Sequence, residues 1–106
     1  MKLSDAQLAP LMAQLPAWRM SAERGGIITR EFVFHDFAQA MGFMVQVAVV
    51  AEKRNHHPEW SNVYNRVAVT LTTHDVDGLS MNDIELARLM DQLADALARQ
   101  AQPAQE

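Results

Sequence analysis

The sequence predicts an α+β fold, in which helices pack on one face of a four-stranded antiparallel sheet in the order α-β-β-α-β-β-α. Apolar residues recur at helical spacing in three segments, one near each end of the chain and one in the middle. Between these segments, β-branched and aromatic residues form runs that turn residues join in pairs. At 106 residues, the chain is predicted to be a single domain, residues 1–106.

Local signals place the first helix and the first hairpin. Ser4 suits the N-cap of a helix that runs to about Leu15, where Pro16 ends it. The apolar side of this helix consists of Leu8, Leu11, Met12 and Leu15. Trp18 and Met20 then alternate in a short strand, the turn uses residues 23–26, and residues 27–34 are predicted to be the partner strand.

The middle helix is predicted from its N-cap, Asp36, to about Arg54. Its apolar residues form two stripes, Phe37, Met41, Met44 and Ala48 on one and Phe43, Val47 and Val50 on the other. A surface helix of a small domain is normally polar on its outer face. This helix is apolar on nearly all sides, so we expect its second face to be covered, either by another subunit or by burial within the same chain.

The second strand pair and the last helix follow. Alternation of Val63, Val67, Val69 and Leu71 predicts strand structure, and Asn65-Arg66 is either a hairpin turn or part of one long strand. After a turn at residues 77–78, Ser80 is the predicted N-cap of a helix, with Asp83 placed as in a capping box. The apolar stripe of this helix is Leu86, Met90, Leu93 and Leu97. The helix is predicted to end near Arg99, and residues 100–106 to form a frayed tail.

Composition excludes several classes of protein. The net charge is −4, whereas nucleic acids and anionic membranes bind basic surfaces, so neither partner is expected. The chain has no cysteine, which excludes disulfides, zinc–thiolate sites and thiol nucleophiles. The N-terminus lacks the apolar segment of a signal peptide, and the most apolar stretch, residues 40–51, is too short for a membrane span. We therefore expect a cytoplasmic protein.

Three of the four histidines fall in two short segments. His56-His57-Pro58 lies where the middle helix should end, because proline disfavours helical geometry in the residue before it. Glu52 precedes His56 by four residues and is expected to share its helical face. His74 follows the last strand, where a rigid scaffold commonly displays reactive groups. Because histidine titrates near neutral pH, this set suits proton transfer.

Two other interpretations of the histidines remain open. Each histidine taken alone is more often structural, and His35, just before a helix N-cap, is interpreted in this way. The other three imidazoles with Glu52 or Asp75 would satisfy tetrahedral zinc. Adjacent histidines point in divergent directions in an extended chain, however, and no His-Glu-x-x-His spacing is present. Acid/base chemistry is therefore favoured over a metal site.

The segments around the histidines are similar to those of a known family. The similarity runs from about Trp18 to Leu93, and the segments that carry it are 37–44, 52–60, 63–65, 71–74 and 78–80, together with Asp83. In order and spacing these segments resemble the pterin-4a-carbinolamine dehydratases, which in animals are also dimerisation cofactors of a homeodomain transcription factor. The resemblance implies the same α-β-β-α-β-β-α fold, assembled as a homodimer or a homotetramer.

The resemblance also implies an activity. Family members remove water from 4a-hydroxytetrahydrobiopterin to give quinonoid dihydropterin, which recycles the cofactor of aromatic amino acid hydroxylases such as phenylalanine hydroxylase. The expected partner is therefore the pterin substrate, with a functional link to a hydroxylase, and neither a cofactor nor a metal is expected. The alternative is a non-catalytic role as a dimerisation or assembly partner of a regulator or another enzyme. The presence of all three histidines favours the enzyme.

The resemblance implies that the three histidines act as a set, and the division of roles among them and their neighbours is our own hypothesis. His56 and His74 are expected to transfer protons, and His57 to bind the substrate. Glu52 is expected to orient the His56-His57 pair. The catalytic set is thus Glu52, His56, His57 and His74, and the substrate-binding set is His56, His57, Pro58, Trp60, Thr73, His74 and Asp75. Trp60 either walls the pocket or packs in the core, and Asp83 is either a pocket residue or a helix-capping acid.

The chain departs from the family pattern at two positions. Asn55 stands where animal members often carry aspartate, so any acidic role at that position is lost. Asp77 stands where the family usually has a small residue before a Gly-Leu turn. Its carboxylate is either solvated in a loop or close enough to the pocket to alter substrate preference.

Overall fold

The computed structural model describes residues 1–101 and confirms the predicted fold class. Within that range the chain forms three helices, α1 (Asp5–Ala13), α2 (Phe37–Arg54) and α3 (Met81–Ala101). The four strands are β1 (Arg19–Ser21), β2 (Ile27–Val33), β3 (Glu59–Val63) and β4 (Arg66–Leu71). The tail was predicted for residues 100–106; its first two residues continue α3, and the rest lies outside the described residues. No helix of the described range is long and apolar enough to cross a membrane.

The strands form one antiparallel sheet in the order β1-β2-β4-β3. The register pairs Ile28 with Leu71, Thr29 with Thr70, and Thr70 with Glu59. The β1–β2 turn, the start of β3 and the end of β4 therefore lie at the same end of the sheet, hereafter the site end. Inward-facing residues of the central strands are buried, as expected for an antiparallel sheet with one covered face: Ile28, Phe32, Val67, Val69 and Leu71.

The core lies between the covered face of the sheet and the helices. The ring centroid of Phe43, from α2, lies 4.8 Å from those of Phe32 and Phe34. Trp18 meets Phe32 edge-on, and its Nε1–H donates to Asp91 Oδ1 of α3 at 2.9 Å. Burial of each such side chain contributes about 1.5–3 kcal/mol. These contacts hold α2 and α3 against the covered face of the sheet.

Helix caps agree with the sequence, whereas one turn differs. Ser4 and Asp36 both accept backbone N–H bonds three residues on, as predicted for N-caps. The second hairpin turns at Tyr64-Asn65 rather than at Asn65-Arg66, because Val63 and Arg66 form the closing pair of the two strands. Tyr64 has a φ of +50° in this turn. The alternative of one long strand is wrong.

One side of α2 is buried and the other is exposed. Ala40, Phe43, Val47 and Ala51 face the core. On the opposite side, the α2 stripe consists of four apolar residues at i, i+4, i+8 and i+12 that are 40–65% exposed: Phe37, Met41, Val45 and Val49. The predicted stripe had Met44 and Ala48 in place of the two valines. The prediction that the same chain buries this face is wrong for the described residues. The prediction that another subunit covers it stays a prediction.

Candidate functional site

The end of α2 determines where His56 points. Asn55 adopts a left-handed conformation, with φ +52° and ψ +43°. The Asn55 and His56 backbone N–H groups donate to the carbonyls of Glu52 and Ala51 at 3.2 and 3.0 Å. This pattern is a Schellman motif, and asparagine tolerates its left-handed position better than most residues. His56 therefore lies beyond the helix, and its expected position on the helical face of Glu52 is wrong.

His56 contacts a buried carboxylate instead. Its Nε2 lies 2.6 Å from Asp83 Oδ1, and His56 is 9% exposed while Asp83 is fully buried. An ionised carboxylate only accepts hydrogen bonds, so the ring nitrogen that faces it carries the hydrogen. This contact fixes the orientation of the ring.

Asp83 is held by the start of α3 and by the loop that precedes it. Its Oδ2 accepts the Ser80 backbone N–H at 3.0 Å and the Thr73 hydroxyl at 2.6 Å. The Ser80 hydroxyl lies 2.6 Å from Thr73 Oγ1. Asp83 therefore caps the helix with one oxygen, which was one of its two predicted roles, and contacts a histidine with the other. We call His56, Asp83, Thr73 and Ser80 the buried network.

His57 diverges from His56, as expected for adjacent residues in an extended segment. Its Nε2 lies 2.9 Å from Glu52 Oε1, and both side chains are exposed. Glu52 thus contacts His57 alone and does not orient both histidines. The pair lies on the surface at the C-terminal end of α2.

His74 lies next to the buried network. It opens a short 3₁₀ turn, His74–Val76, immediately after Thr73, and its side chain is exposed. The Thr73 backbone N–H donates to Gly78 O at 2.8 Å, which closes the loop around this turn. Asp77 takes a left-handed conformation, and the predicted turn at Asp77-Gly78 is confirmed.

Two cavities meet at Thr73. One, of about 420 Å³, is lined by Arg24, Thr72, Thr73, His74 and Asp77. The other, of about 470 Å³, includes Thr73, Asp75 and Ser80 in its lining. Both volumes lie within the ~300–1,000 Å³ typical of small-molecule sites. Of the predicted site residues, the cavities bring together Thr73, His74 and Asp75; among the described lining residues there is no Glu52, His56, His57, Pro58 or Trp60.

An ion pair beside His74 was not predicted from the sequence. Both terminal nitrogens of Arg24 donate to the Glu59 carboxylate, at 2.8 and 2.7 Å. This hydrogen bonding holds the pKa of Glu59 below its usual value, and the charges of Arg24 and His74 lower that pKa further. The same contact raises the pKa of Arg24. No sequence signal pairs a turn residue with a strand residue 35 positions away.

The described part of the chain does not assemble a metal site. Within residues 1–101, no group of three or more histidine or acidic side chains is close enough together to hold a metal ion. Nε2 of His56 faces Asp83, and Nε2 of His57 faces Glu52. The geometry favours hydrogen-bonded histidines over the zinc interpretation.

Comparison with known proteins gives a consistent result. The family model described as "Pterin 4 alpha carbinolamine dehydratase" matches residues 1–93. A protein from Novosphingobium aromaticivorans is 58% identical over 85% of this chain and 93% of its own length. One from Ruegeria pomeroyi is 55% identical over 87% and 96%. Both carry the name "Putative pterin-4-alpha-carbinolamine dehydratase".

Two solved structures share the fold. The crystal structure of a transcriptional coactivator/pterin dehydratase from Brucella melitensis superposes with a TM-score of 0.83 at 45% identity, covering 89% of this chain and 99% of that one. A pterin dehydratase-like RuBisCO assembly factor superposes with a TM-score of 0.63 at 23% identity, covering 74% and 89%, which shows the fold alone. From the family match and the relatives above 50% identity, this chain belongs to the pterin 4 alpha carbinolamine dehydratase family.

Proposed function

We propose that this chain is a hydro-lyase that removes water from 4a-hydroxytetrahydrobiopterin. The observation that carries the proposal is the buried network, in which Asp83 fixes His56 and also binds Thr73, the residue before His74. Two imidazoles are thereby tied to one rigid support, one held inside and one displayed on a cavity. Membership of a dehydratase family supports the same reaction.

The reaction needs two proton transfers. A proton delivered to the 4a-hydroxyl lets that group leave as water, and removal of the N5 proton lets its electron pair form the N5=C4a double bond of the quinonoid product. Two imidazoles, one protonated and one neutral, accomplish both steps, and the number of protons that the pair holds is the same before and after the reaction. General acid/base catalysis of this kind contributes about 10²–10⁴-fold.

We assign the two transfers to His56 and His74. Asp83 holds the ring of His56, so Nδ1 is its exchanging atom, and His74 faces the cavity that Thr73 also lines. His57, paired with Glu52 on the surface, is assigned to substrate binding. Pro58, Trp60, Thr73 and Asp75 complete the proposed pterin-binding set.

The wider setting is also proposed. A cytoplasmic enzyme of this activity recycles the cofactor of an aromatic amino acid hydroxylase and so couples to phenylalanine hydroxylation. We further propose that the chain assembles as a homodimer or homotetramer, which the exposed α2 stripe supports. No cofactor takes part in the reaction as proposed.

The test follows the decay of 4a-hydroxytetrahydrobiopterin, generated by phenylalanine hydroxylase, by ultraviolet absorbance. We expect the native chain to accelerate the decay, and His56→Ala and His74→Ala each to lower kcat by about 10²-fold or more. His35→Ala is the control, since His35 lies outside both cavities, and is expected to keep native activity. Equal decay rates with and without protein would exclude the enzyme and favour the non-catalytic assembly role.

A further inference from the structure

The β1–β2 turn forms a wall of the His74 cavity. Gly25, in this turn, lies so close to the next loop that a Cβ on it would clash with the Asp77 carbonyl oxygen. The Thr72 hydroxyl donates to Gly26 O at 2.7 Å. The turn is therefore fixed against both the end of β4 and the loop that carries His74.

Arg24 extends from this wall to the first residue of β3. Its guanidinium binds both oxygens of Glu59, a geometry that restricts the orientation of both side chains. Arg24 lines the cavity together with His74, and the charge of His74 acts on Glu59. Two opposite charges are thus held at a defined place beside a proposed catalytic group.

We propose that Arg24 and Glu59 are positioning residues of the dehydratase reaction, which fix the cavity wall and balance the charge that His74 experiences. The proposal rests on the function proposed above. While the two are paired, the cation and the carboxylate largely cancel at His74. Loss of either one leaves a single uncompensated charge beside the imidazole.

The stability of the fold does not explain why this ion pair is present. Both side chains are about half exposed, and exposed ion pairs contribute little to stability. A single charge several ångströms from an imidazole in a water-like medium nevertheless moves the pH at which the ring takes up its proton by roughly half a unit. Several charged groups lie near His74. Asp75 and Asp77 belong to its own loop, Arg24 to the β1–β2 turn, Glu59 to β3 and Lys2 to the N-terminal segment.

The first test measures the protonation of His74 by NMR. In Arg24→Gln, the unpaired Glu59 carboxylate should make the His74 ring take up its proton at a pH about half a unit higher than in the native chain. In Glu59→Gln, the unpaired Arg24 should move this pH down by a similar amount. In the double variant, the pH at which His74 takes up its proton should be close to that of the native chain, because both charges are removed.

The chain offers a matched control. Arg66 and Glu31 also form an exposed ion pair, at 3.0 Å and likewise 35 residues apart, but Arg66 pairs with Val33 at the opposite end of the sheet. Arg66→Gln and Glu31→Gln should leave the His74 titration and the activity unchanged. Shifts of equal sign in Arg24→Gln and Glu59→Gln, or no shift beyond that of the controls, would overturn the proposal.

The second test measures catalysis. We expect kcat to fall about threefold or more in Arg24→Gln and in Glu59→Gln, with the pH optimum displaced in opposite directions. Arg24→Lys keeps the charge but loses the bidentate contact, so it should restore the His74 titration but only part of kcat. Native kcat and pH optimum in both glutamine variants would contradict the positioning role. If the native chain has no dehydratase activity, the proposed function fails, and the NMR measurement still decides whether the pair controls the charge at His74.

Discussion

At the scale of single residues, one carboxylate organises the candidate site. Asp83 accepts from a histidine ring, a hydroxyl and a backbone N–H, and it is fully buried. A buried acceptor of this kind is expensive to leave unsatisfied, since each lost partner costs about 1–3 kcal/mol. The identity of residue 83 therefore affects both the stability of the fold and the hydrogen bonding of the His56 ring.

Asp83→Asn tests this role, because it keeps the shape but replaces one acceptor oxygen with a donor. If the amide NH₂ faces His56, the ring must present a lone pair there and move its hydrogen to Nδ1, which is the wrong tautomer for the proposed transfer. We expect the unfolding free energy to fall by about 1–3 kcal/mol and kcat by about 10²-fold or more. Urea unfolding and the pterin assay measure the two effects.

The control for this substitution lies on the same helix. Asp91 is half-buried and accepts from Trp18 and Arg30, away from the histidines. Asp91→Asn should also lower stability but leave kcat unchanged. If both variants lose activity in proportion to their lost stability, Asp83 acts only through folding.

The sequence indicated which histidines to propose for the site but not which side chains they contact. Clustering in the chain grouped His56, His57 and His74, and the assignment of Glu52 to the pair followed from helical spacing. The left-handed Asn55 removes His56 from that helix, and the actual partner is 27 residues away. Contacts of this range depend on how α3 packs, and no local pattern encodes them.

At the scale of elements, the C-terminal turn of α2 directs His56 inward and leaves His57 on the surface. Asn55 at φ +52° is what allows the reversal. Asparagine adopts this backbone conformation at a lower steric cost than most residues. The departure from the family pattern at this position thus has a conformational explanation.

Substitutions of Asn55 should separate conformation from side-chain chemistry. Asn55→Gly keeps the left-handed conformation without steric cost, so we expect native kcat and stability within about 0.5 kcal/mol. Asn55→Val places a β-branched residue in that conformation, which should cost about 1–2 kcal/mol or more and lower kcat by displacing His56. Urea unfolding and the pterin assay measure both. Loss of activity in the glycine variant would mean that the Asn55 side chain itself takes part.

Element boundaries were largely predictable, and the exceptions have local causes. Caps such as Ser4 and Asp36 act within four residues, so the sequence indicates them directly. The second hairpin turn was misplaced by one residue, because Tyr64 is an unusual occupant of a left-handed turn position. Asp77 adopts the same conformation, but the Gly78 beside it made that turn recognisable.

At the scale of the whole molecule, the fold class followed from the alternation of strand and helix patterns, whereas the strand order did not. The order β1-β2-β4-β3 places the β1–β2 turn and the start of β3 at the same end of the sheet, with the end of β4 between them, and the Arg24 side chain reaches Glu59 across that end. Local periodicity specifies hairpins, but their docking depends on packing across the core. The ion pair between Arg24 and Glu59 therefore could not be predicted from the sequence.

The α2 stripe leads to a prediction about assembly. Its four residues run along the helix at constant spacing, so a second copy packed antiparallel would bring the Phe37 end of one helix to the Val49 end of the other. Burying this face of both copies removes apolar area from water, at about 25 cal/mol per Å². Asp36 and Lys53 flank opposite ends of the stripe, and antiparallel packing also brings these opposite charges together.

Val45→Asp and Val49→Asp test this arrangement. Each places a carboxylate within the proposed interface, where it would be desolvated without a partner, so we expect dissociation to monomers by light scattering after size exclusion. Both valines are more than half exposed in the single chain, so the monomers should keep native circular dichroism. Val63→Asp is the control: this valine is 72% exposed but lies at the end of β3, outside the stripe, and should leave the assembly intact. If Val63→Asp dissociates the assembly and the two α2 variants do not, the interface lies on the sheet, because a charge disrupts only the surface on which the copies meet.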